Sequence, residues 1–162
     1  MIVVSDTSPI GSLFLINRLE LLPAIFKEVI IPAKVFQELL VLETSFGYDL
    51  SPIKSAPWLF IRQAVDKEAV KRFYKELDAG ESEAIVLAQE IHADFLLIDE
   101  SEGRIVAQRE GLQVIGLLGV LMQAKRKGFI EALKPIMEEL RIVADFRISE
   151  TLYQSILHQM GE

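Results

Sequence analysis

The sequence predicts an α/β fold, a three-layer α/β/α sandwich around a mostly parallel central sheet. Short apolar runs that are typical of buried parallel strands alternate with helical segments over most of the 162 residues. Asp6 closes the first run, 2–5, and Asp99 closes the run 95–98. Ligands of open α/β sheets bind beyond the carboxyl ends of the strands, so these two carboxylates are expected to lie close together and to hold a divalent cation.

The N-terminal half is divided by recognisable helix starts and breakers. Ser8 and Pro9 predict the N-cap and first residue of a helix that runs to about Ile16. The elements predicted next are a helix at 19–26, a strand at 29–31, a helix from 32 to about 42, an irregular stretch at 43–57, a strand at 58–61 and a helix at 66–76.

The C-terminal half continues the alternation of strands and helices. The predicted elements are a helix at 80–91, a strand at 95–98, a helix at 101–110, a strand at 113–115 and a helix at 117–127, closed by Gly128. Two more helices are expected at 130–143 and 149–159. We therefore expect one domain over 1–162, with a helical extension from about residue 130 and right-handed crossovers.

Composition excludes several classes of protein. Cys is absent, which removes disulfides, thiol catalysis and cysteine-based zinc sites and favours a cytoplasmic location. No stretch reaches the ~20 apolar residues of a membrane span, and the N-terminus lacks the basic region of a signal peptide. The net charge of −7 argues against a simple nucleic-acid coat, but it is neutral toward metal-dependent cleavage because bound Mg²⁺ offsets local charge.

Helical periodicity places Glu81 on the core face of its predicted helix. At ~100° per residue the apolar stripe of that helix consists of Ala84, Ile85, Leu87, Ala88 and Ile91. Glu81 continues this stripe at the helix start, whereas Glu83 lies off it, toward the edge or solvent. Asp78 and Glu81 also match a capping box, which would explain Glu81 structurally, and both roles can hold at once.

Two more acids share an apolar face. Glu38 lies three residues after Val35 and four before Leu42, so it must be paired, metal-bound or at the edge of the core. Glu102 precedes Ile105 by three residues and leans inward, although the helix dipole alone would favour an acid there. These acids are all expected at one end of the sheet.

Other chemistries fit less well. The segment 80–84 loosely imitates G-x-S-x-G, but no strand precedes it and the last glycine is missing. A haloacid-dehalogenase-type phosphatase needs a second aspartate where Ser8 stands, and the same gap argues against hydrolysis of small phosphate esters. Arg104 and Arg109 are expected near the acidic pocket, either as phosphate contacts or as ordinary solvated helix charges.

The order and spacing of four acidic motifs resemble those of a PIN domain. The motifs are IVVSDTSP at 2–9, IPAKVFQEL at 31–39, LDAGESEAI at 77–85 and LLIDE at 96–100. The tail FRIS at 146–149, followed by a last helix, resembles a prokaryotic PIN-like branch of largely uncharacterised members, the DUF3368 group. The similarity covers nearly the whole chain.

The resemblance implies which residues form the site. Carried over by position, the catalytic and metal-binding acids are Asp6, Glu38, Glu81 and Asp99. Additional candidate metal ligands are Glu102 and Glu83. The third acid is more often Asp in PIN domains, and a gap-free match to the fourth motif favours Glu81 over Glu83. Candidate substrate contacts are Ser8, Thr7, Arg104 and Arg109.

The function expected from this resemblance is a metal-dependent endoribonuclease. Mg²⁺ or Mn²⁺ would activate a water that cleaves RNA phosphodiesters. The expected partners are RNA, a small antitoxin protein, if the chain is the toxin of a toxin–antitoxin pair, and a second copy of the chain in a homodimer, with no membrane. The alternative is a catalytically weak PIN-like module that binds nucleic acid or a protein.

Overall fold

A computed structural model describes all residues, 1–162, and contains one five-stranded sheet. The strands are β1 (Ile2–Ser5), β2 (Glu28–Pro32), β3 (Leu59–Arg62), β4 (Phe95–Leu97) and β5 (Val114–Ile115). Their spatial order is β3-β2-β1-β4-β5, and every neighbouring pair is parallel. The predicted α/β/α sandwich with a parallel sheet is confirmed.

Eleven α-helices connect and flank the strands. They are α1 (Thr7–Leu15), α2 (Leu21–Ile25), α3 (Ala33–Leu39), α4 (Val41–Thr44), α5 (Ser51–Lys54), α6 (Lys67–Arg72), α7 (Ala79–Glu90), α8 (Ser101–Arg109), α9 (Leu117–Arg126), α10 (Lys134–Val143) and α11 (Glu150–Gln159). A 3₁₀ turn, Phe73–Lys75, extends α6. No helix combines the length and apolar character needed to cross a membrane.

The sheet separates two apolar layers because successive strand residues point to opposite faces. Val3 faces the larger layer, which includes buried side chains of α1, α2, α9, α10 and α11. Val4 faces the smaller layer, formed with α6, α7 and α8. The predicted C-terminal helices therefore pack on the main core, with Met137 and Leu140 fully buried.

The strand order creates a topological switch point between β1 and β4. From β1 the chain runs outward through β2 to β3, and it then returns to the other side of β1 to form β4 and β5. Ser5 is in register with Leu97, and the N–H of Asp6 donates to the carbonyl of Leu97 at 2.9 Å. Asp6 and Asp99 consequently follow two adjacent strands at the crevice where α/β sheets bind ligands.

Several helix boundaries differ from the sequence prediction. α1 begins at Thr7 with Asp6 at the N-cap, two positions before the expected start with Ser8 as N-cap and Pro9 as first helical residue. α10 begins at Lys134, because Pro135 lacks an N–H and its ring would clash with a preceding helical turn. The helix expected over 32–42 is divided into α3 and α4, and the stretch expected to be irregular contains α5.

Candidate active site

Asp6 is a buried carboxylate at the centre of the acidic end of the sheet. It occupies the N-cap position of α1, but its side chain makes no capping hydrogen bond, and only 5% of the residue is exposed. Burial, partly opposed by the backbone amide of Thr7, raises the pKa of Asp6 to about 7. That value of about 7 includes a smaller contribution from repulsion by three neighbouring acids, which also raises the pKa: Glu81, Asp78 and Glu38. At neutral pH this carboxyl therefore needs a proton or a cation.

Glu38 reaches the same region from α3. It is half-buried, and the hydroxyl of Thr7 donates a hydrogen bond to its Oε2. Its two carboxylate oxygens lie 2.7 Å from the position that a Cβ on Gly80 would occupy. Thr7 thus orients Glu38, and the absence of a side chain at Gly80 allows the carboxylate to lie against the first turn of α7.

Glu81 serves in the predicted capping box, which is confirmed. Asp78 Oδ1 accepts the N–H of Glu81 at 2.8 Å, and Glu81 Oε2 accepts the N–H of Asp78 at 3.2 Å. Glu81 is 7% exposed, and burial raises its pKa, against the hydrogen bond with the Asp78 amide. Its Oε1 lies 3.5 Å from the Cβ position of Gly103 and takes no part in the capping box. One oxygen is thus engaged in structure and the other remains for a ligand.

Asp99 carries one satisfied and one unsatisfied oxygen. Its Oδ1 accepts the N–H of Leu117 at 2.8 Å, at the start of α9. Its Oδ2 is buried without any hydrogen-bond partner. Burial raises the pKa of Asp99, while the Leu117 amide and the Arg104 charge oppose the rise. A buried carboxylate oxygen without a donor is costly unless a cation or water completes it.

Arg104 lies beside Asp99 on α8. Its Nη1 donates to the carbonyl of Ile98 at 3.0 Å and lies 2.6 Å from the position of a Cβ on Gly116. That Cβ would also be 3.0 Å from Asp99 Oδ1, so Gly116 leaves the space that the arginine and the carboxylate share. The guanidinium group makes no ion pair within 4.0 Å, which leaves donors for an anionic ligand.

Three other candidate residues are placed away from this centre or at its margin. Glu83 accepts the N–H groups of Lys34 at 3.2 Å and Ala64 at 3.3 Å, so it joins α3 to the end of β3. Glu102 is exposed rather than turned inward and acts on Glu81 only through its charge. Arg109 lies at the far end of α8 and pairs with Glu76 at 2.8 Å, so the expectation that it lies near the acidic pocket is not met.

A cleft of about 810 Å³ opens beside Asp99. One wall contains Ser8, which is exposed, together with Asp99 and Arg104. Another part of its lining comes from the C-terminal extension and includes Asp145 and Arg147 of the α10–α11 connection. The sequence argument did not assign a role to this connection, because its only signal there was the FRIS motif and no periodicity links it to the strand ends.

The oxygen ligands that these side chains offer are of the kind that a hard divalent cation binds. Carboxylate oxygens are the ligands of Mg²⁺ and Mn²⁺, and the unpartnered Oδ2 of Asp99 is a ready acceptor for such an ion. The acids do not form a complete cage, since no three acidic or histidine side chains are grouped closely enough to hold an ion together. Mg²⁺ sites commonly use one or two carboxylates plus waters and substrate phosphate, so a complete cage is not required.

The fold and the acidic strand ends define a PIN-like α/β domain. A PIN domain family, DUF3368, matches the sequence over residues 2–162, and the chain belongs to this family. The resemblance inferred from the four acidic motifs is thereby confirmed. PIN domains are a nuclease-type superfamily that generally uses divalent metals.

Comparison with solved structures supports the same fold. A PilT N-terminus domain protein from the hyperthermophilic archaeon Sulfolobus solfataricus superposes with a TM-score of 0.50 at 17% sequence identity. The match covers 76% of this chain and 93% of the archaeal chain. At this identity the likeness concerns the fold alone. No curated protein matches the sequence significantly.

Proposed function

We propose that the protein is a metal-dependent endoribonuclease that hydrolyses RNA phosphodiesters with Mg²⁺ or Mn²⁺. The observation that carries the proposal is the unpartnered, buried Oδ2 of Asp99 at the cleft. Asp99 lies just beyond β4, the strand that is paired with the one that Asp6 follows. Buried carboxylates that lack donors are characteristic of sites that a cation completes. Membership in the PIN domain family supports nuclease chemistry in general.

Each side chain has a distinct part in this proposal. Asp99 Oδ2 and one more carboxylate, that of Asp6 or Glu81 Oε1, would hold the cation together with waters and a substrate phosphate. Glu38, oriented by Thr7, would add negative charge beside them. Arg104 would bind a phosphate oxygen of the substrate. When bound, a divalent cation lowers the pKa of a water and offsets negative charge on the phosphate. The chain itself needs no nucleophile, which agrees with the absence of Cys.

Cleavage of a mixed single-stranded RNA pool tests this function. We expect products in Mg²⁺ or Mn²⁺ and none in EDTA, with Asp99→Asn at least about a hundredfold slower. Glu139→Gln is the matched control, because Glu139 is an exposed acid outside the cleft that makes no ion pair. Attack by water leaves simple phosphate ends, whereas attack by the RNA 2′-hydroxyl leaves a cyclic phosphate. Equal rates for wild type and Asp99→Asn would refute the assignment.

A second candidate is a catalytically weak module that binds nucleic acid or a protein partner. The engagement of Glu81 Oε2 in the capping box favours it, because this leaves fewer free oxygens for a cation. Calorimetric titration with Mn²⁺ separates the two. Binding at micromolar to millimolar metal supports the nuclease, and an empty site at millimolar metal supports the binding module.

The biological setting we propose is that of a toxin with a small antitoxin partner, acting as a homodimer. This rests on the family resemblance rather than on any contact in the structure. Induced expression should arrest growth, Asp99→Asn should abolish the arrest, and coexpression of a small neighbouring reading frame should relieve it. Growth arrest that persists in Asp99→Asn would contradict the toxin proposal.

A further inference from the structure

One wall of the cleft that Asp99 lines comes from the C-terminal extension. The cleft is lined on the α8 side by Arg104 and on the extension side by Arg147, and these are its only two cationic residues. Neither makes an ion pair with any acid of the chain. Arg147 is exposed and donates no hydrogen bond to the protein, so nothing structural accounts for its position.

The connection that carries Arg147 is fixed on both sides. The N–H of Phe146 donates to the carbonyl of Leu140 at 3.0 Å, and Arg141 Nη2 donates to the carbonyl of Ile148 at 2.8 Å. Arg141 itself stacks over the ring of Tyr153, 4.2 Å from its centroid. The backbone on either side of Arg147 is thus held before any ligand arrives, which reduces the entropy cost of using this side chain in binding.

The rest of the lining is mixed in a way that suits a nucleic-acid strand. Apolar side chains face the cleft beside the two arginines, including Ile115, Phe146 and Leu152, the last of them 45% exposed. Unstacked bases bind to such apolar and aromatic surfaces, whereas the bases of a duplex are not available to them. Three acids also line the cleft: Asp99, Glu100 and Asp145. Because these acids repel a polyanion, its binding in the cleft depends on the two guanidinium groups.

We infer that the C-terminal extension is a substrate-binding wall, in which Arg147 binds a backbone phosphate of a single-stranded RNA while Arg104 binds another on the Asp99 side. This inference rests on the proposed function for its substrate. Arg147 positions the substrate, because the RNA strand is held between Arg147 and Arg104 with one of its phosphodiesters beside Asp99. The apolar lining contacts the bases between them.

Binding of a short fluorescein-labelled single-stranded RNA in EDTA, followed by anisotropy over a salt series, tests the wall without cleavage. We expect Arg147→Gln to weaken binding about tenfold, the loss typical of one charge-assisted contact. The slope of log affinity against log salt should fall by about 0.7, as for the loss of one phosphate contact to a single strand. Arg126→Gln is the matched control, because Arg126 is exposed at the end of α9 and outside the cleft.

Several outcomes would overturn the inference. These are equal affinity and salt slope for Arg147→Gln and Arg126→Gln, equally tight binding of the matching duplex, or no RNA binding by the wild type. These results distinguish a failure of this inference from a failure of the proposed function. If wild type cleaves RNA and Arg147→Gln behaves like the control, only the substrate-binding role of the extension is refuted. If wild type binds RNA through Arg147 but never cleaves it, that role is supported and the nuclease assignment is refuted.

Discussion

Replacement of Asp6 by asparagine should stabilise the metal-free protein at neutral pH. Burial raises the pKa of Asp6 from 3.8 to about 7, so the folded state binds this proton more tightly than the unfolded chain. Between those two values the native state holds more protons, and the free energy of unfolding falls as the pH rises. A shift of about three units corresponds to roughly 4 kcal/mol, and we expect about 2–4 kcal/mol to be recovered in the variant above pH 7.

Thermal unfolding of both proteins in EDTA from pH 4 to pH 8 measures this effect. Wild type and Asp6→Asn should differ little in unfolding temperature near pH 4, because this pH is close to the unfolded-state pKa of 3.8 and little of the penalty has yet developed. The variant should gain about 5–15 °C by pH 8, given the size of the chain. Mn²⁺ should then stabilise the wild type and not the variant. Glu139→Gln removes an exposed acid and should change neither curve. An Asp6→Asn protein that melts at or below wild type at pH 8 would refute the reasoning.

Substitutions at three further positions separate ligand roles from structural ones. Gly80→Ala would place a Cβ 2.7 Å from both oxygens of Glu38, so we expect the Mn²⁺ affinity measured by calorimetry to fall at least about tenfold. Gly11→Ala is the control, because its Cβ would meet Leu39 at an ordinary 3.8 Å and should leave the Mn²⁺ affinity unchanged. Glu83→Gln should cost about 1–2 kcal/mol in urea unfolding and leave Mn²⁺ affinity unchanged, because Glu83 accepts two backbone amides. Glu81→Gln should retain the capping hydrogen bonds and weaken Mn²⁺ binding. Glu81→Asp should lose a capping hydrogen bond and lower the melting temperature. Equal Mn²⁺ affinity in wild type and Glu81→Gln would exclude Glu81 as a ligand.

The strands and the central acids could be predicted because local signals determine them. β1 and β4 are formed mainly by apolar residues, and a residue that comes one or two positions after such a strand lies at its carboxyl end. Parallel pairing then brings the ends of neighbouring strands together. Asp6 and Asp99 are placed by this argument before any tertiary contact is known, and the register of Ser5 with Leu97 agrees with it.

The placements that the sequence could not supply depend on the distance along a helix or on partners far away in sequence. Arg104 and Arg109 both belong to α8, but five residues separate them by about 7.5 Å along the axis, and only the first turn faces the acids. The sequence gives no sign of the hydrogen-bond partners of Glu83, because Lys34 belongs to α3 and Ala64 lies after β3. Residues separated by so many positions are brought together only by the complete fold.

The capping box explains why a glutamate stands where PIN domains more often have aspartate. A box requires Glu or Gln at its fourth position, because the side chain must reach back to the N–H of the N-cap residue, and Asp is one methylene too short. Glu81 meets this requirement with Oε2 while Oε1 stays out of the box, near Gly103. The longer side chain therefore fixes the start of α7 and holds its carboxylate in the acidic crevice with the same bond. Of the two interpretations that the sequence left open, the capping role is confirmed for Oε2, and the ligand role is the one that we propose for Oε1.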